Sequence, residues 1–380
     1  MKVLFFTIQL STIGGIERTI IDKANYMVSK GHDVFVVTVE QGSLPYSYDV
    51  DKKVQLIDLG IFYYHRFRLP IYKRIGFCIR AREKYRTSFG NVLDKCCPDV
   101  VVMTTPNTEN FLYDAVLLSR SRDVKVIIES HLNFGYHFVA NGFLEWLMQL
   151  LHRPMTGVKR TNLLVALTEG DGRCWKNHGV RNVRIIPNPL PFLPSRLNQS
   201  NKEKGRILYV GRLDKQKRVD RLIDAFALLA DRYPSWYICM FGEGTCQAQL
   251  EKQVKHLKLE NRIRFNAPTN RVVDEYQQSQ FFVLSSDYEG FGLVLIEAMA
   301  CGTPVVATDC PFGPSDIIED GVTGLLARMD VHDLAKKMEW MITHEDERKM
   351  MGIKACQAAA KYNKEEILKE WERAYMSVMD

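Results

Sequence analysis

The chain has 380 residues, of which 46% are hydrophobic and 25% are charged, and its formal net charge is +6. These values are average for a soluble globular protein of two domains, and they exclude a disordered chain, a collagen and a small disulfide-stapled domain. No apolar run approaches the ~20 residues of a membrane-spanning helix.

The cysteines and the N-terminal run both favour a cytoplasmic location. The nine cysteines form no CxxC pair, which is typical of a reducing compartment. The first apolar run, VLFFTI, is too short for the hydrophobic region of a signal peptide.

The N-terminal segment predicts a strand, a glycine turn, a helix and a second strand. VLFFTI is followed by Gly14 and Gly15, then by apolar residues at helical spacing, and VFVVTV comes after Gly31. This alternation indicates a parallel sheet with right-handed crossovers. The glycine pair would let the backbone approach a phosphate at the helix N-terminus, or would serve a tight turn with positive φ. The pattern leaves both interpretations open.

The basic charge is concentrated in the first half of the chain. Residues 61–86 contain eight basic residues and one acidic residue, interleaved with aromatic rings. This mixture favours an anionic membrane surface, with residues 134–153 as a second docking segment. A solvated helix face above core aromatics and a nucleic-acid surface are the alternatives, and we expect no nucleic-acid partner. The candidate membrane or acceptor contacts are Arg66, Arg68, Lys73 and Arg74.

The alternation of strands and helices stops at a proline-rich segment and then restarts. Four prolines lie within residues 187–194, and a polar run follows them. Prolines that block regular structure, followed by polar residues, mark a linker. We therefore predict an α/β fold of two Rossmann-like domains, residues 1–190 and residues 191–364, that face each other across a cleft.

Site residues are expected in the turns after strands, because ligands of parallel sheets bind beyond the carboxyl ends of the strands. Arg212 and Lys217 follow RILYV, where two cations beside a helix N-terminus would clamp a diphosphate. A solvated charge run is the alternative. The Gly-Glu-Gly sequence around Glu243 is a weaker candidate, since it lacks the third glycine of a dinucleotide fingerprint.

The most specific pattern is a pair of glutamates eight residues apart. Glu289 lies in a glycine-bounded loop after FFVLSS, and Glu297 lies in an otherwise apolar helix. A carboxylate there is costly unless a partner satisfies it, and sugar hydroxyls are suitable partners. A bond within the protein core is the alternative. The amides of Gly292 and Leu293 open the same helix and would face a phosphate.

These motifs resemble, in order along the chain, those of the retaining glycosyltransferases of family 4, which have the GT-B fold. GGIER resembles the N-terminal glycine loop, YVGRLDKQKRVDRLIDAF the phosphate-binding stretch, and EGFGLVLIE the E-x7-E signature. The resemblance implies four catalytic residues, namely His131, Arg212, Lys217 and Glu289. The candidate donor-binding residues are Gly14, Gly15, Arg212, Lys217, Glu243, Asn266, Ala267, Glu289, Gly292, Leu293 and Glu297.

The resemblance also implies a role for each group. The two cations and the first glycine turn would hold the donor diphosphate. Glu289 would contact the transferred sugar, Glu297 the ribose hydroxyls, and His131 the neighbourhood of the primary hydroxyl of the sugar. Asn266 and Ala267 would present backbone groups to the base. By spacing alone, a single histidine such as His131 is more often a core residue.

Two departures and one absence refine the resemblance. Arg218 stands where the family usually has a glycine, and Thr168-Glu169 stand where a small hydroxyl residue is common. There is no Asp-x-Asp sequence in a metal-binding context, so we expect no metal ion and no cofactor besides the donor. CPFGPSDII resembles members that build exopolysaccharide, capsule and lipid-linked oligosaccharide.

We therefore expect a retaining, metal-independent hexosyltransferase. It would move a hexose or an N-acetylhexosamine from a UDP-sugar to a lipid-linked saccharide acceptor, as a peripheral protein at the inner face of the plasma membrane. The N-terminal domain would receive the acceptor, and residues 365–380 would cross back to it, as in relatives. The alternatives are a GDP-sugar (mannosyl) transferase of the same fold and a non-catalytic, membrane-associated protein that binds nucleotide sugars.

Overall fold

The computed structural model describes residues 1–12, 14–105, 109–132, 134, 154–194 and 202–379. The chain folds as two compact units. The first unit comprises Met1–Pro187 and Glu365–Asp380, and the second comprises Asn188–Lys364. The first boundary lies within the proline-rich segment of the sequence.

Among the described residues, the first unit contains a parallel sheet of seven strands in the order β3-β2-β1-β4-β5-β6-β7. The strands are β1 (Lys2–Thr7), β2 (Asp33–Thr38), β3 (Gln55–Asp58), β4 (Val100–Thr105), β5 (Lys125–Ser130), β6 (Leu163–Ala166) and β7 (Val183–Ile185). The helices are α1 (Gly15–Ser29), α2 (Ile71–Cys96), α3 (Glu109–Arg120), α4 (Pro154–Val158) and α5 (Glu169–Asn177), with a 3-10 turn at Tyr63–Arg68.

The second unit contains a parallel sheet of six strands in the order β10-β9-β8-β11-β12-β13, again among the described residues. The strands are β8 (Arg206–Val210), β9 (Tyr237–Phe241), β10 (Ile263–Asn266), β11 (Phe281–Leu284), β12 (Val305–Thr308) and β13 (Gly324–Ala327). The helices are α6 (Val219–Ala230), α7 (Gln247–His256), α8 (Val272–Gln278), α9 (Leu293–Ala300), α10 (Pro314–Ile317), α11 (Val331–Thr343) and α12 (Glu345–Ala359), with 3-10 turns at Lys215–Lys217 and Ala360–Tyr362.

The apolar runs of the sequence form the central strands. β-Branched and aromatic residues fit a pleated surface, and a parallel sheet covered on both faces needs apolar side chains on both. In β1, both the side chain of Phe5 and that of its neighbour Phe6 are buried, although they point to opposite faces. The predicted α/β class with two parallel sheets is confirmed.

The last helix, α13 (Lys364–Met376), begins at the end of the second unit and packs in the first. The indole nitrogen of Trp371 donates a hydrogen bond of 3.1 Å to the carbonyl of Pro187. The ring of Tyr375 lies edge-on to that of Phe5, with 6.0 Å between centroids. Both aromatic side chains of α13 are fully buried. Within the described part of the chain, no helix combines the length and apolar character that crossing a bilayer requires.

Candidate active site

The charged residues of the second unit meet at the topological switch point of its sheet. Strands β8 and β11 are neighbours, and the chain leaves β8 toward β9 on one side but leaves β11 toward β12 on the other. The carboxyl ends of such neighbours leave a crevice between diverging connections, where ligands of open α/β sheets bind. Arg212 and Lys217 follow β8, and Glu289 follows β11.

Lys217 and Glu289 form the centre of this site. The ammonium nitrogen of Lys217 is 2.7 Å from Oε1 of Glu289, and the hydroxyl of Ser286 donates a bond of 2.6 Å to the same oxygen. Ser286 is held in turn by Thr308, whose hydroxyl donates to its carbonyl at 2.6 Å. The Glu289 residue is only 5% exposed, so the carboxylate is fixed in position by protein groups rather than by water. No sequence pattern indicated Ser286 as a partner of Glu289.

Arg212 differs from Lys217 in being largely accessible. Its side chain is 59% exposed and lies 3.2 Å from Asp214, and it also donates to the side-chain oxygen of Gln216 at 3.2 Å. The Asp214 carboxylate accepts the backbone N–H of Lys217 and begins the 3-10 turn there. The accessible guanidinium therefore has N–H donors that can bind an anion at the carboxyl end of β8.

The backbone conformation at position 218 suits the glycine that the family resemblance implies there. Arg218 has φ 45° and ψ 46°, in the left-handed region that joins the 3-10 turn to α6. A residue with a Cβ pays on the order of 1 kcal/mol to adopt this conformation, whereas glycine does not. The guanidinium of Arg218 binds Asp220 at 3.0 Å and Asp287 at 3.2 Å. These ion pairs offset the conformational cost and connect the β8 and β11 turns.

Glu297 has a partner within the protein. The hydroxyl of Tyr276, on α8, donates a bond of 2.9 Å to Oε2 of Glu297, on α9. Burial and the neighbouring carboxylate both raise the pKa of Tyr276 well above its ordinary value, so its proton stays available for this bond. Glu297 is half-buried. The hydrogen bond within the protein, which was the alternative interpretation of Glu297, is therefore present. The accessible part of the Glu297 carboxylate can still contact a ligand.

Gly292 and Leu293 begin α9 as predicted. Gly292 precedes the first helical residue and has φ 97°, a left-handed conformation that favours glycine. The first N–H groups of a helix have no partner within it, although in α9 the N–H of Leu295 already donates to the carbonyl of Gly292 at 2.9 Å. The N–H groups of this turn follow β11 closely and supply donors at the same edge of the sheet as Glu289.

The Gly-Glu-Gly turn around Glu243 has a packing explanation. A Cβ on Gly242 would lie 1.9 Å from the carbonyl oxygen of Gly211, and one on Gly244 would lie 2.3 Å from that of Leu213. The N–H of Leu213 donates to the carbonyl of Glu243 at 2.9 Å. The glycines therefore allow the turn after β9 to pack directly against the turn after β8. This packing accounts for both glycines without a bound phosphate.

The base-reading segment predicted at Asn266 and Ala267 lies beside that turn. The carbonyl of Asn266 accepts the N–H of Gly242 at 3.1 Å, and its side-chain amide donates to the carbonyl of Met240 at 3.2 Å. The turns after β8, β9 and β10 are thus joined in series by backbone bonds. This arrangement places the segment at the same edge of the second sheet as Arg212.

In the first unit, Gly14 and Gly15 lie at the start of α1. Gly14 has φ −153°, which is extended backbone that any residue adopts, so the interpretation as a turn with positive φ is wrong for Gly14. A Cβ on Gly14 would lie 2.4 Å from a carboxylate oxygen of Glu17. The missing Cβ therefore lets the carboxylate of Glu17 lie close over the first turn of α1, where helical N–H groups are directed.

His131, after β5, belongs to a buried cluster of charged residues. Its Nε2 lies 2.9 Å from Oε2 of Glu129, and the same oxygen is 2.7 Å from the ammonium of Lys23. The residue is 4% exposed. The structure therefore places His131 at the carboxyl end of a central strand but brings it into contact with core groups that the sequence did not indicate.

The basic segment at residues 61–86 forms the 3-10 turn and the first half of α2. Its aromatic residues divide into two sets: Tyr63 is buried and Phe77 packs against the core, whereas Tyr64 is 42% and Tyr72 is 76% exposed. The segment therefore contains core aromatics as well as exposed rings, and its contact with a membrane surface stays a prediction.

The four basic residues singled out there also divide. Arg68 and Lys73 are exposed. Arg66 and Arg74 are half-buried and donate to backbone carbonyls, that of Tyr63 at 3.2 Å and that of Leu69 at 3.0 Å. The second proposed docking segment, residues 134–153, lies outside the described residues apart from Phe134.

Two parallel α/β units, with cations and a buried carboxylate at the switch point of the second sheet, define a glycosyltransferase of GT-B type. Two family models match the chain: Glycosyltransferase Family 4 matches residues 13–191, and Glycosyl transferases group 1 matches residues 195–358. The chain belongs to this family of glycosyltransferases.

Several curated proteins are similar over nearly their whole length. An uncharacterized glycosyltransferase of Haemophilus influenzae is 28% identical over 98% of this chain and 99% of its own. The amylovoran biosynthesis glycosyltransferase AmsD of Erwinia amylovora is 27% identical over 97% and 98%. A Campylobacter jejuni enzyme, named as an α-1,4-N-acetyl-D-galactosaminyltransferase acting on a diNAcBac-PP-undecaprenol-linked saccharide, is 25% identical over 98% and 97%.

Solved structures agree with the fold. A mutant of Staphylococcus aureus TarM, solved with Fondaparinux, α-GlcNAc-glycerol and UDP, superposes with a TM-score of 0.77 at 17% identity over 100% of this chain and 99% of that one. Anabaena HepE, solved with UDP and glucose, superposes with a TM-score of 0.75 at 20% identity over 99% and 100%. At these identities the likeness establishes the GT-B fold.

Proposed function

We propose that this enzyme transfers a hexose or an N-acetylhexosamine from a UDP-sugar to a saccharide acceptor carried on a lipid diphosphate, in the assembly of a surface polysaccharide or glycan. The observation that carries the proposal is the Lys217–Glu289 pair at the switch point of the second sheet, 2.7 Å apart. In this proposal the ammonium of Lys217 serves the leaving diphosphate and the carboxylate of Glu289 serves the transferred sugar. The names of AmsD and the Campylobacter jejuni enzyme support this class of product.

The choice of donor rests on similarity and on charge. TarM and HepE were both solved with UDP, which supports UDP as the nucleotide here. Arg212 and Lys217 provide two positive charges at the β8 turn, and the first turn of α9 provides backbone donors. These groups suit a diphosphate without a metal ion, since the protein itself supplies the positive charge.

We propose that the transfer retains configuration by substitution on one face of the sugar. The bond from the anomeric carbon to the diphosphate oxygen breaks, and the acceptor oxygen bonds to the same carbon from the same face. The acceptor proton passes to the departing phosphate oxygen. Arg212 and Lys217 stabilise the charge that develops on the leaving group, and Glu289 holds the sugar in position as positive character develops at its anomeric carbon.

Calorimetric titration of the purified protein with UDP, GDP and NAD, each with and without EDTA, tests the donor site. We expect UDP to bind and EDTA to leave its affinity unchanged. Arg212→Ala should weaken UDP binding roughly 10- to 100-fold, since a charged hydrogen bond is lost. Arg232→Ala is the matched control, because that arginine of the same unit is 54% exposed and paired with Glu339.

The outcomes of this titration separate the alternatives. Preferential GDP binding would move the donor to the GDP-sugars and leave the cation site standing. Loss of UDP binding in EDTA would contradict metal independence. Binding of NAD alone, or of no nucleotide, would contradict the assignment of Arg212 and Lys217 to a diphosphate.

A cavity of about 490 Å³ in the first unit is suited to the saccharide part of the acceptor. It lies after β1 and β2 and includes Gln9, Glu40, Phe62 and Tyr64 in its lining. Aromatic faces beside amide and carboxylate groups are suited to binding sugars, whose rings are apolar on their faces and polar at their edges. Burial raises the pKa of Glu40, as expected for a carboxyl in a partly enclosed cavity.

The exposed side of residues 61–86 is our candidate for the membrane. Arg68, Lys73 and Arg80 are exposed on this surface together with Tyr72 and Ile79. Basic and aromatic side chains together suit anionic headgroups and the interface beneath them. We propose that this surface holds the enzyme at a membrane whose lipid-linked acceptor enters the first unit.

Sedimentation with anionic liposomes tests the membrane proposal. Replacing Arg68, Lys73 and Arg80 together with glutamine should lower the partition coefficient about a hundredfold, at roughly 1 kcal/mol for each basic residue. Arg271→Gln with Arg328→Gln is the control, since both side chains are 80% exposed and lie in the second unit. Equal partitioning of the triple variant and the wild type would contradict this assignment.

A further inference from the structure

A cluster of four polar side chains lies in the interior of the first unit. Glu129 is its centre: Oε2 accepts from the ammonium of Lys23 at 2.7 Å and lies 2.9 Å from Nε2 of His131, and Oε1 accepts from the hydroxyl of Tyr375. Lys23, Glu129 and Tyr375 are each at most 1% exposed. Groups of this kind are costly to bury, so their arrangement calls for an explanation beyond stability.

The carboxylate of Glu129 is ionised at neutral pH. Burial alone would raise its pKa, but the charge of Lys23 and the hydrogen bond from His131 lower it to about 2. Burial lowers the pKa of Lys23 to about 8, against the attraction of Glu129, which leaves the lysine protonated at pH 7. Glu129 is therefore an acceptor only.

This charge fixes the tautomer of His131. An ionised carboxylate accepts and cannot donate, so the Nε2 atom facing Glu129 carries a proton. Burial lowers the pKa of His131 by more than the hydrogen bond and the charge of Glu129 raise it, and the nearby Lys23 also lowers it, so the ring holds only that one proton at neutral pH. Nδ1 then carries a lone pair, and among the described residues no group lies within hydrogen-bonding distance of it.

We infer that Lys23, Glu129 and Tyr375 are positioning residues that hold His131 neutral with its proton on Nε2, so that Nδ1 accepts a hydrogen bond from a hydroxyl of the substrate. This inference rests on the proposed function, together with the position near the primary hydroxyl of the sugar that the family resemblance implies for His131. A buried acceptor without a partner costs free energy that a ligand hydroxyl would recover. The direction of the bond follows from the cluster: His131 accepts from the sugar and does not donate to it.

The C-terminal helix completes the cluster. Tyr375 lies on α13 and bonds to Glu129, and the ammonium of Lys23 lies 3.3 Å from the centroid of the Trp371 ring on the same helix. A cation over an indole face is stabilised by the ring quadrupole. The end of the chain therefore contributes directly to the state of His131, which follows a strand almost 250 residues earlier in the sequence.

Nitrogen NMR of ¹⁵N-histidine-labelled protein tests the tautomer without any activity assay, with His131→Ala used for assignment. We expect the His131 signals of an unprotonated Nδ1 and a protonated Nε2 at pH 7, and a change in the Nδ1 signal on adding the UDP-sugar. Glu129→Gln should mix the tautomers and lower kcat roughly 10- to 100-fold, the effect of losing a hydrogen bond to a charged group. A protonated Nδ1 in the wild type would overturn the inference.

Tyr375→Phe provides a second test that leaves the packing intact. Without the hydrogen bond from the Tyr375 hydroxyl, the negative charge of Glu129 acts more strongly on His131 and raises the pKa of His131. The acid limb of the plot of kcat against pH should therefore move to higher pH. Tyr362→Phe is the control, because that tyrosine is also buried but lies in the second unit. An unmoved acid limb in Tyr375→Phe would overturn the positioning role. Wild-type transfer by His131→Ala would instead contradict the placement of the sugar beside His131, on which the NMR signals of the ligand-free protein do not depend.

Discussion

Glu289→Gln is expected to lower kcat about 10²- to 10³-fold, the effect of removing one preorganised group that acts on developing charge. The carboxylate is buried at the switch point of the second sheet, where Lys217 and Ser286 hold Oε1. Glutamine keeps the volume and the ability to accept hydrogen bonds, but it removes the negative charge that would support positive character at the anomeric carbon. The measurement is the steady-state rate of sugar transfer from the UDP-sugar.

The binding of UDP should behave differently from the rate. Glu289 is assigned to the sugar and not to the nucleotide, so UDP affinity should be unchanged or higher, because Lys217 loses a competing anion. Glu345→Gln is the matched control: Glu345 also lies 2.7 Å from a lysine, Lys349, but both side chains are more than half exposed. A Glu289→Gln enzyme with a wild-type rate and a lower melting temperature would show that the Lys217–Glu289 pair only stabilises the fold.

The parts of this site that could be predicted are those encoded locally. Glu289 follows a strand and precedes a glycine-rich turn, and Lys217 follows another strand, so the position of each at the edge of a sheet is visible in a short window of sequence. The strands themselves are apolar runs bounded by turn residues. That two such turns adjoin follows from the topology of a parallel sheet.

The partners of these residues could not be predicted, because they come from distant segments. Tyr276 binds Glu297 across 21 positions and from a different helix. Lys23 and Tyr375 meet Glu129 from 106 and 246 positions away. Each of these polar residues alone is typical of a protein surface, and only the packing of α1 and α13 against β5 turns them into a buried cluster.

The conformation at Arg218 was hidden for a different reason. Arginine disfavours the left-handed region, so an arginine at position 218 predicts a backbone with negative φ. The glycine that the family resemblance implies at this position was the signal of a positive φ. The ion pairs with Asp220 and Asp287 that accompany the arginine depend on contacts between two separate turns.

Lys23→Met is expected to lower the free energy of unfolding of the first unit by about 3–5 kcal/mol at pH 7, the cost of leaving one partner of a buried ion pair uncompensated. Methionine retains most of the apolar stem that packs beside Trp371, so the loss comes chiefly from the charge. Denaturant unfolding, followed by far-UV circular dichroism, measures it. Lys349→Met, which breaks the exposed pair with Glu345, should change the free energy by less than about 1 kcal/mol.

The pH dependence distinguishes a loss of charge from a loss of packing. In the wild type the pKa of Glu129 is lowered to about 2, so its contribution to stability is complete above the ordinary glutamate pKa of 4.5 and is lost as the pH falls toward 2. Without Lys23, burial dominates and raises the pKa of Glu129, so the variant gains stability as the pH falls and the carboxyl takes up a proton. The deficit of Lys23→Met should therefore shrink between pH 7 and pH 4, and Lys23→Met with Glu129→Gln should recover part of it at pH 7. A deficit that is constant over this range would mean that the ammonium acts through packing on Trp371, and the ionised state of Glu129 on which the His131 tautomer depends would lose its support.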